Sequence, residues 1–391
     1  MDVSGDDRKS AALAAERVRP APGARVISGF TPAREVLRST GMRQAGAGAK
    51  DAPAVDPEFA SVFFLDGEAH RQKRTAIARF FTPKAIATRY RAVMERTTDE
   101  LLTGLRAAGG GRLDTISFEL AVTVAADIVG LTDSNQKAMA RRIQGTLFAT
   151  RYHHRALPIR ALVQLVTAVN GLRFYRRDVL PAIRTRRAQR REDVISHLID
   201  ENYPNKAILI ECMTYAVAGM VTTREFIVMA AWHLFEKDEL RARFLAADEQ
   251  GQLAILIEIL RLEPVAAMLH RRATADAALP SGSAHEGELL ALSIRDANVD
   301  AAAVGACPFT LDADRAGAVN HTSAYLSFGD GSHRCPGAQV ALNETRVFLD
   351  RLFRVPGLRL VQTPRMSWSD ALMSYELRGA VVTCDRTTAN G

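Results

Sequence analysis

Ser327-Phe-Gly-Asp-Gly-Ser-His-Arg-Cys-Pro-Gly-Ala-Gln-Val-Ala341 is the stretch on which the reading of this chain turns. Cys335 stands two residues after His333 and two before Gly337, and the glycines at 329, 331 and 337 permit tight, close-approaching backbone. An apolar, acid-poor run from Ala338 to Leu349 follows, which predicts a helix starting just past the cysteine. The positive end of such a helix, with free N–H groups near sulfur, would favour thiolate over thiol. A thiolate is a soft, strongly donating axial ligand for iron. A bare Gly-x-x-x-Cys would read as an ordinary buried cysteine in a turn. Here the pattern Phe-Gly-x-Gly-x-His-x-Cys-x-Gly is complete through Phe328, Gly329, Gly331, His333, Cys335 and Gly337.

With those residues the chain resembles the cytochrome P450 family, the haem-thiolate oxygenases, whose cysteine in this loop binds haem iron. The resemblance implies a mainly α fold: one large helical domain with small β-sheets. Haem b would lie between a long central helix and the helix after the cysteine loop. Cys335 would be the metal ligand, with Phe328, His333 and Gly337 among the cofactor contacts. Residues 26–391 would form the oxygenase domain, and 1–25, rich in Ala, Arg, Asp and Gly, a flexible lead.

Working outward, His70 and Arg74 are four apart and share a helix face. Alone they would read as a solvated face; the resemblance implies a pair that binds a haem propionate. Amphipathic spacing predicts helices over 90–106, 114–130 and 137–149. His153 and His154, being adjacent, project on different helix faces and make no metal pair. The run Arg184-Thr-Arg-Arg-Ala-Gln-Arg-Arg191 reads as a solvated face, in what the resemblance implies is the lid over the substrate pocket.

A long helix is predicted over 205–236, carrying Ala218, Gly219, Val221, Thr222 and Thr223. A mid-helix glycine costs about 1 kcal/mol relative to alanine and so needs a reason. Either threonine can bond back to a carbonyl four residues earlier. The resemblance implies that Ala218 and Gly219 make room for dioxygen and that Thr222 is the catalytic hydroxyl, with Val221 where the family usually has an acid. Glu258 and Arg261 form an i, i+3 pair just before Pro264, matching the family's structural Glu-x-x-Arg. Its third basic partner usually precedes a Phe; here Pro308 precedes Phe309, which leaves the place open. Arg271 matches a propionate-binding arginine, against the plain reading of a strand-edge arginine. Val265, Ala266 and Met268, with Ala218, Val221, Leu372 and Met373, would line the substrate pocket.

The composition agrees. A formal charge of +7 and 44 arginines tolerate nucleic acid, but no basic tail or aromatic-interleaved patch points to it. Four unpaired cysteines exclude a disulfide framework, and no signal peptide or run of about eighteen apolar residues is evident. These features fit a cytoplasmic protein with no membrane or nucleic-acid partner, and the resemblance implies a monomer with a small-molecule substrate and a ferredoxin-type electron donor. Its expected reaction is hydroxylation in secondary metabolism. The apolar Val221 keeps open a haem-thiolate oxidase or peroxide-using enzyme that couples or closes rings without inserting oxygen, and a non-catalytic haem-binding protein remains a third reading.

Overall fold

The computed structural model describes residues 5–46, 60–146, 157–279, 282–315, 325–370 and 372–386. At its centre is the helix Asn205–Glu236, which is α over Asn205–Tyr215, π over Ala216–Val221 and α again over Thr222–Glu236. In its second half the stretch Phe226–Ala231 is apolar on every side, and Ile227 through Ala231 are wholly enclosed. A helix hydrophobic all round belongs inside a core. By length and apolarity alone it could also cross a membrane, yet here helices Leu113–Val129 and Ala338–Leu352 pack on it. Arg91–Ala108 closes the bundle and ends in Gly109 at φ 73°, a left-handed stop.

The predicted helices at 90–106, 114–130 and 137–149 appear as Arg91–Ala108, Leu113–Val129 and Gln136–Thr146; positions 147–149 lie outside the described residues, as do His153 and His154. A four-stranded sheet forms beside the bundle from β1 (Arg25–Ile27), β5 (Leu289–Ser293), β4 (Met268–Ala273) and β2 (Met42–Ala45), in that order, and a three-stranded one from β3 (Gly110–Arg112), β9 (Val381–Thr383) and β6 (Arg359–Gln362). Strands β7 (Arg365–Ser369) and β8 (Ser374–Arg378) form a hairpin whose turn carries Leu372 and Met373.

Two expectations need correction. The lead read as flexible contains the helix Ala11–Arg17 and is docked: Ser10 N–H donates to Glu263 (3.0 Å), and Asp7 accepts from Leu311 N–H (2.6 Å) and pairs with Lys237. Its partners lie more than two hundred residues away, so local composition carries no trace of them. The basic run at 184–191 is not all solvated either. Arg186 is buried, paired with Asp193 and Asp133, and donates to Gly130 O and Thr132 Oγ1.

His233 is fully enclosed in the central helix, and neither ring nitrogen has a partner among the described residues. Burial, helped by Lys9 and Lys237, pushes its pKa down to about 3. Between pH 6.5 and 3 the unfolded chain therefore binds a proton that the folded chain refuses, so stability is full above pH 6.5 and falls on acidification. The slope should reach about 1.4 kcal/mol per pH unit. Denaturant titrations at pH 7 and pH 5 should show His233→Phe losing less stability than the wild type; equal losses would count against this burial effect.

Candidate functional site

The cysteine loop is held from below by helix Phe30–Arg38. Asp330 accepts from Arg34 and Arg38, and Gly331, at φ 66°, lies so close that a Cβ there would stand 2.2 Å from Leu37 O. Cys335 N–H donates to Phe328 O (2.9 Å), closing the turn, and Gly337 is the N-cap of Ala338–Leu352. The Gly337 N–H points at the Cys335 sulfur, with Arg74 and Arg334 nearby, as the helix start predicts. These groups do not win, however: desolvation is larger and raises the thiol pKa. Without a metal the group is a thiol, and a metal that took the sulfur would release its proton.

Beside it four basic groups gather. The His70 ring stacks on His333 with centroids 4.1 Å apart, and His333 Nε2 meets Asp66 Oδ1 at 3.0 Å. Arg74 donates to Arg334 O, while Arg271 donates to Gln44 and to His270 O (2.9 Å). Arg271 lies on β4 between β5 and β2 and is buried, so it is no strand-edge arginine. Burial, then repulsion from His333 and Arg74, pushes His70 down to about 4; burial pushes Arg271 down to about 10 and lowers Arg74. Asp66 is the one carboxylate bonded to this group among the described residues. Two guanidinium groups and two imidazoles in a desolvated place fit a doubly anionic group, and Cys335 offers a sulfur donor next to them. The residues present therefore fit haem.

On the long helix, Thr222 Oγ1 donates to Ala218 O (2.7 Å), the back-bond that its position allows. Ala218 is exposed, and a Cβ on Gly219 would meet nothing within 4 Å, so the π turn presents an open, small-residue wall. Val221 departs from its reading as a pocket residue: at 3% exposure it belongs to the apolar core, one helix step round from Thr222. Nor does the next acid substitute, because Glu225 is buried and held by Arg224, Arg378 and Leu377 N–H. Met373, at φ 50°, accepts from Ala267 N–H (2.9 Å), which brings the Leu372–Met373 turn against the segment holding Val265, Ala266 and Met268. Val265 and Met268 are buried there, and Ala266 is partly open.

Sequence reasoning missed three residues. Arg315 supplies the third basic partner: its Nε donates to Glu258 Oε1 (3.0 Å), its other nitrogens reach Val304, Ala306, Cys307 and Thr310 carbonyls, and Arg261 binds the same carboxylate. It arrives six residues after Phe309, not just before it, so the expected spacing hid it. Asn298 then ties Arg261 O to the cysteine loop through Ser327 Oγ (2.8 Å) and Leu326 N–H (2.9 Å). Glu211, visible in sequence as the break in an apolar run, accepts from Ser61 Oγ and Val62 N–H, and burial raises its pKa to about 7. With Tyr215 it lines a cavity of about 290 Å³ beside helix Gly67–Ala78. A larger open cleft of about 850 Å³, along Asp238–Ala246, holds Arg315 but none of the site residues expected from sequence.

Residues 253–355, spanning this carboxylate–arginine network and the cysteine loop, match the family model described as Cytochrome P450. The chain belongs to the cytochrome P450 family. This P450 is 28% identical over 334 residues to nocardicin C N-oxygenase of Nocardia uniformis subsp. tsuyamanensis, covering 82% of this chain and 79% of that protein. Against the mycinamicin IV hydroxylase/epoxidase of Micromonospora griseorubida the identity is 25%, over 93% and 90% of the two chains. The structure of substrate-free CYP109E1 from Bacillus megaterium superposes with a TM-score of 0.78 at 20% identity, covering 96% and 97%, which shows a shared fold. The P450 is thus a haem-iron oxidoreductase of the bacterial type.

Proposed function

We propose that this P450 is a monooxygenase that hydroxylates a mid-sized organic molecule of secondary metabolism, using haem b bound through Cys335 and electrons from a ferredoxin-type partner in the cytoplasm. The observation that carries the reading is the desolvated cluster of His70, Arg74, Arg271 and His333 beside Cys335. The names of the relatives, which act on nocardicin and mycinamicins, support the substrate class. When bound, a thiolate-ligated haem supplies dioxygen activation, because sulfur pushes electron density onto iron. The Gly337 N–H and Arg74 steady the Cys335 sulfur, and the four basic groups offset two carboxylates by charge-assisted bonds. Among the described residues Thr222 offers the one hydroxyl on the open wall at Ala218, and the turn at Leu372 and Met373 meets Val265, Ala266 and Met268 to bound the substrate.

Each of His70→Leu, Arg74→Leu and Arg271→Leu should weaken haem retention about tenfold or more, the size expected for losing one hydrogen bond to a charged group. Haem-to-protein ratios after gel filtration give the readout, and unchanged ratios in all three would remove this face from the site.

Val221 favours a second reading, in which coupling or ring formation proceeds without oxygen insertion, because no acid stands beside Thr222. Turnover under isotopically labelled dioxygen separates the two: label in the product supports insertion, and product without label refutes it. Thr222→Ala should at least double peroxide leakage per electron consumed. Since Val221 is buried, Val221→Asp should strand a carboxylate in the core and lower stability rather than restore a relay.

A further inference from the structure

We propose that the outer face of the helix from Leu157 to Ala188 is a docking surface for an acidic protein whose contact helix also carries an apolar strip. Of the eight large apolar side chains most exposed among the described residues, five are on this helix: Leu162, Leu165, Val166, Val169 and Leu172. Their spacing of three, four, seven and ten residues puts them in one row. Directly beyond them Phe174, Asp178, Val179, Ala182, Ile183 and Arg186 turn inward. Arg173, Arg176, Arg177, Arg184 and Arg187 turn outward.

The charge on this face is largely unmatched, although Arg186 pairs inward with Asp133 and Asp193, and Arg190 with Asp200. Residues 157–191 contain nine arginines and a single acid, Asp178, which is buried and already held by Arg142 and Ser134. Among the described residues no carboxylate meets Arg173, Arg176, Arg177 or Arg184, and Arg187 reaches only the Asn205 amide oxygen. Such a face suits an anionic partner, and the apolar row narrows its kind. From Leu162 to Arg187 the face runs about 37 Å, the length of a helix of similar size. A surface-lying membrane helix has its apolar and basic residues on opposite faces, with Trp or Phe among the former. Here the two sets follow one another along the axis, and the row holds only Leu and Val. Nucleic acid would satisfy the arginines and leave the row wet. A second copy pairing through this same face would bring arginines and apolar groups but no free carboxylate.

The surface is distinct from the cysteine loop and does not depend on the proposed reaction. The test uses the haem-loaded full chain and a synthetic helical peptide with leucines along one half and glutamates along the other, followed by calorimetry. We expect micromolar binding that weakens at least tenfold in Arg176→Glu/Arg177→Glu and at least threefold in Leu165→Ser/Val169→Ser. Arg359→Glu, on a distant exposed strand, should leave it unchanged, and circular dichroism checks that each variant folds. Absence of binding overturns the proposal. So does equal or tighter binding to phosphatidylglycerol vesicles or duplex DNA, or binding indifferent to the Leu165 and Val169 changes.

Discussion

Cys335→Ala is expected to abolish the absorption that marks a thiolate-ligated haem in the reduced carbon-monoxide complex, and with it all turnover. The other three cysteines give a built-in control. Cys212 is buried and held as a thiol by desolvation, Cys307 is exposed, and Cys384 donates weakly to Leu105 O. None has a glycine-lined turn, a following helix N-terminus and two arginines converging on its sulfur. Their alanine variants should keep the wild-type spectrum, with a cost to stability for Cys212 alone, where a small cavity opens. A normal spectrum in Cys335→Ala would remove the proposed ligand.

The second large effect concerns stability. Glu258, Arg261 and Arg315 are 2%, 0% and 5% exposed, and one carboxylate serves both guanidinium groups. Glu258→Ala leaves two buried cations without an anion and should cost about 3–5 kcal/mol. Arg315→Met should cost about 2–3 kcal/mol, because it takes one of two guanidinium groups from the buried Glu258 carboxylate and removes the donor to the Val304 and Ala306 carbonyls. Denaturant unfolding of both variants measures this. A loss under about 0.5 kcal/mol for Arg315→Met, the size of an ordinary surface change, would show that Arg315 is not the third member of the network.

The parts legible from sequence were those whose physics is local. Glycine spacing and a following apolar run located the cysteine turn, helical spacing located the bundle, and the i, i+3 rule found Glu258 with Arg261. What stayed hidden was set at a distance. Arg315 reaches Glu258 across 57 residues and by an unexpected route round Phe309. Ser10 meets Glu263 across 253, which turned an apparently loose lead into a docked helix. Val221 sits beside Thr222 in sequence, yet a helix turns each residue by about 100°, and that step takes it from the open wall into the core. The thiol of Cys335 shows the same limit: the helix start is visible in sequence, but the depth of burial that outweighs it is not.

The π turn at Ala216–Val221 makes residue count itself a determinant of this wall. Such a turn stores one residue more than an α-helix needs over the same rise. Deleting Gly219 would let the ladder relax to plain α geometry and leave the segments on either side in phase, because the residue removed is the one the turn had stored. Glu211 and Tyr215 would keep the side on which they meet helix Gly67–Ala78, and only the widened turn at Ala218 would be lost. The same deletion one turn away, in plain α-helix, would rotate everything beyond it by about 100°, so these six residues act as a place where the chain can change length without changing phase.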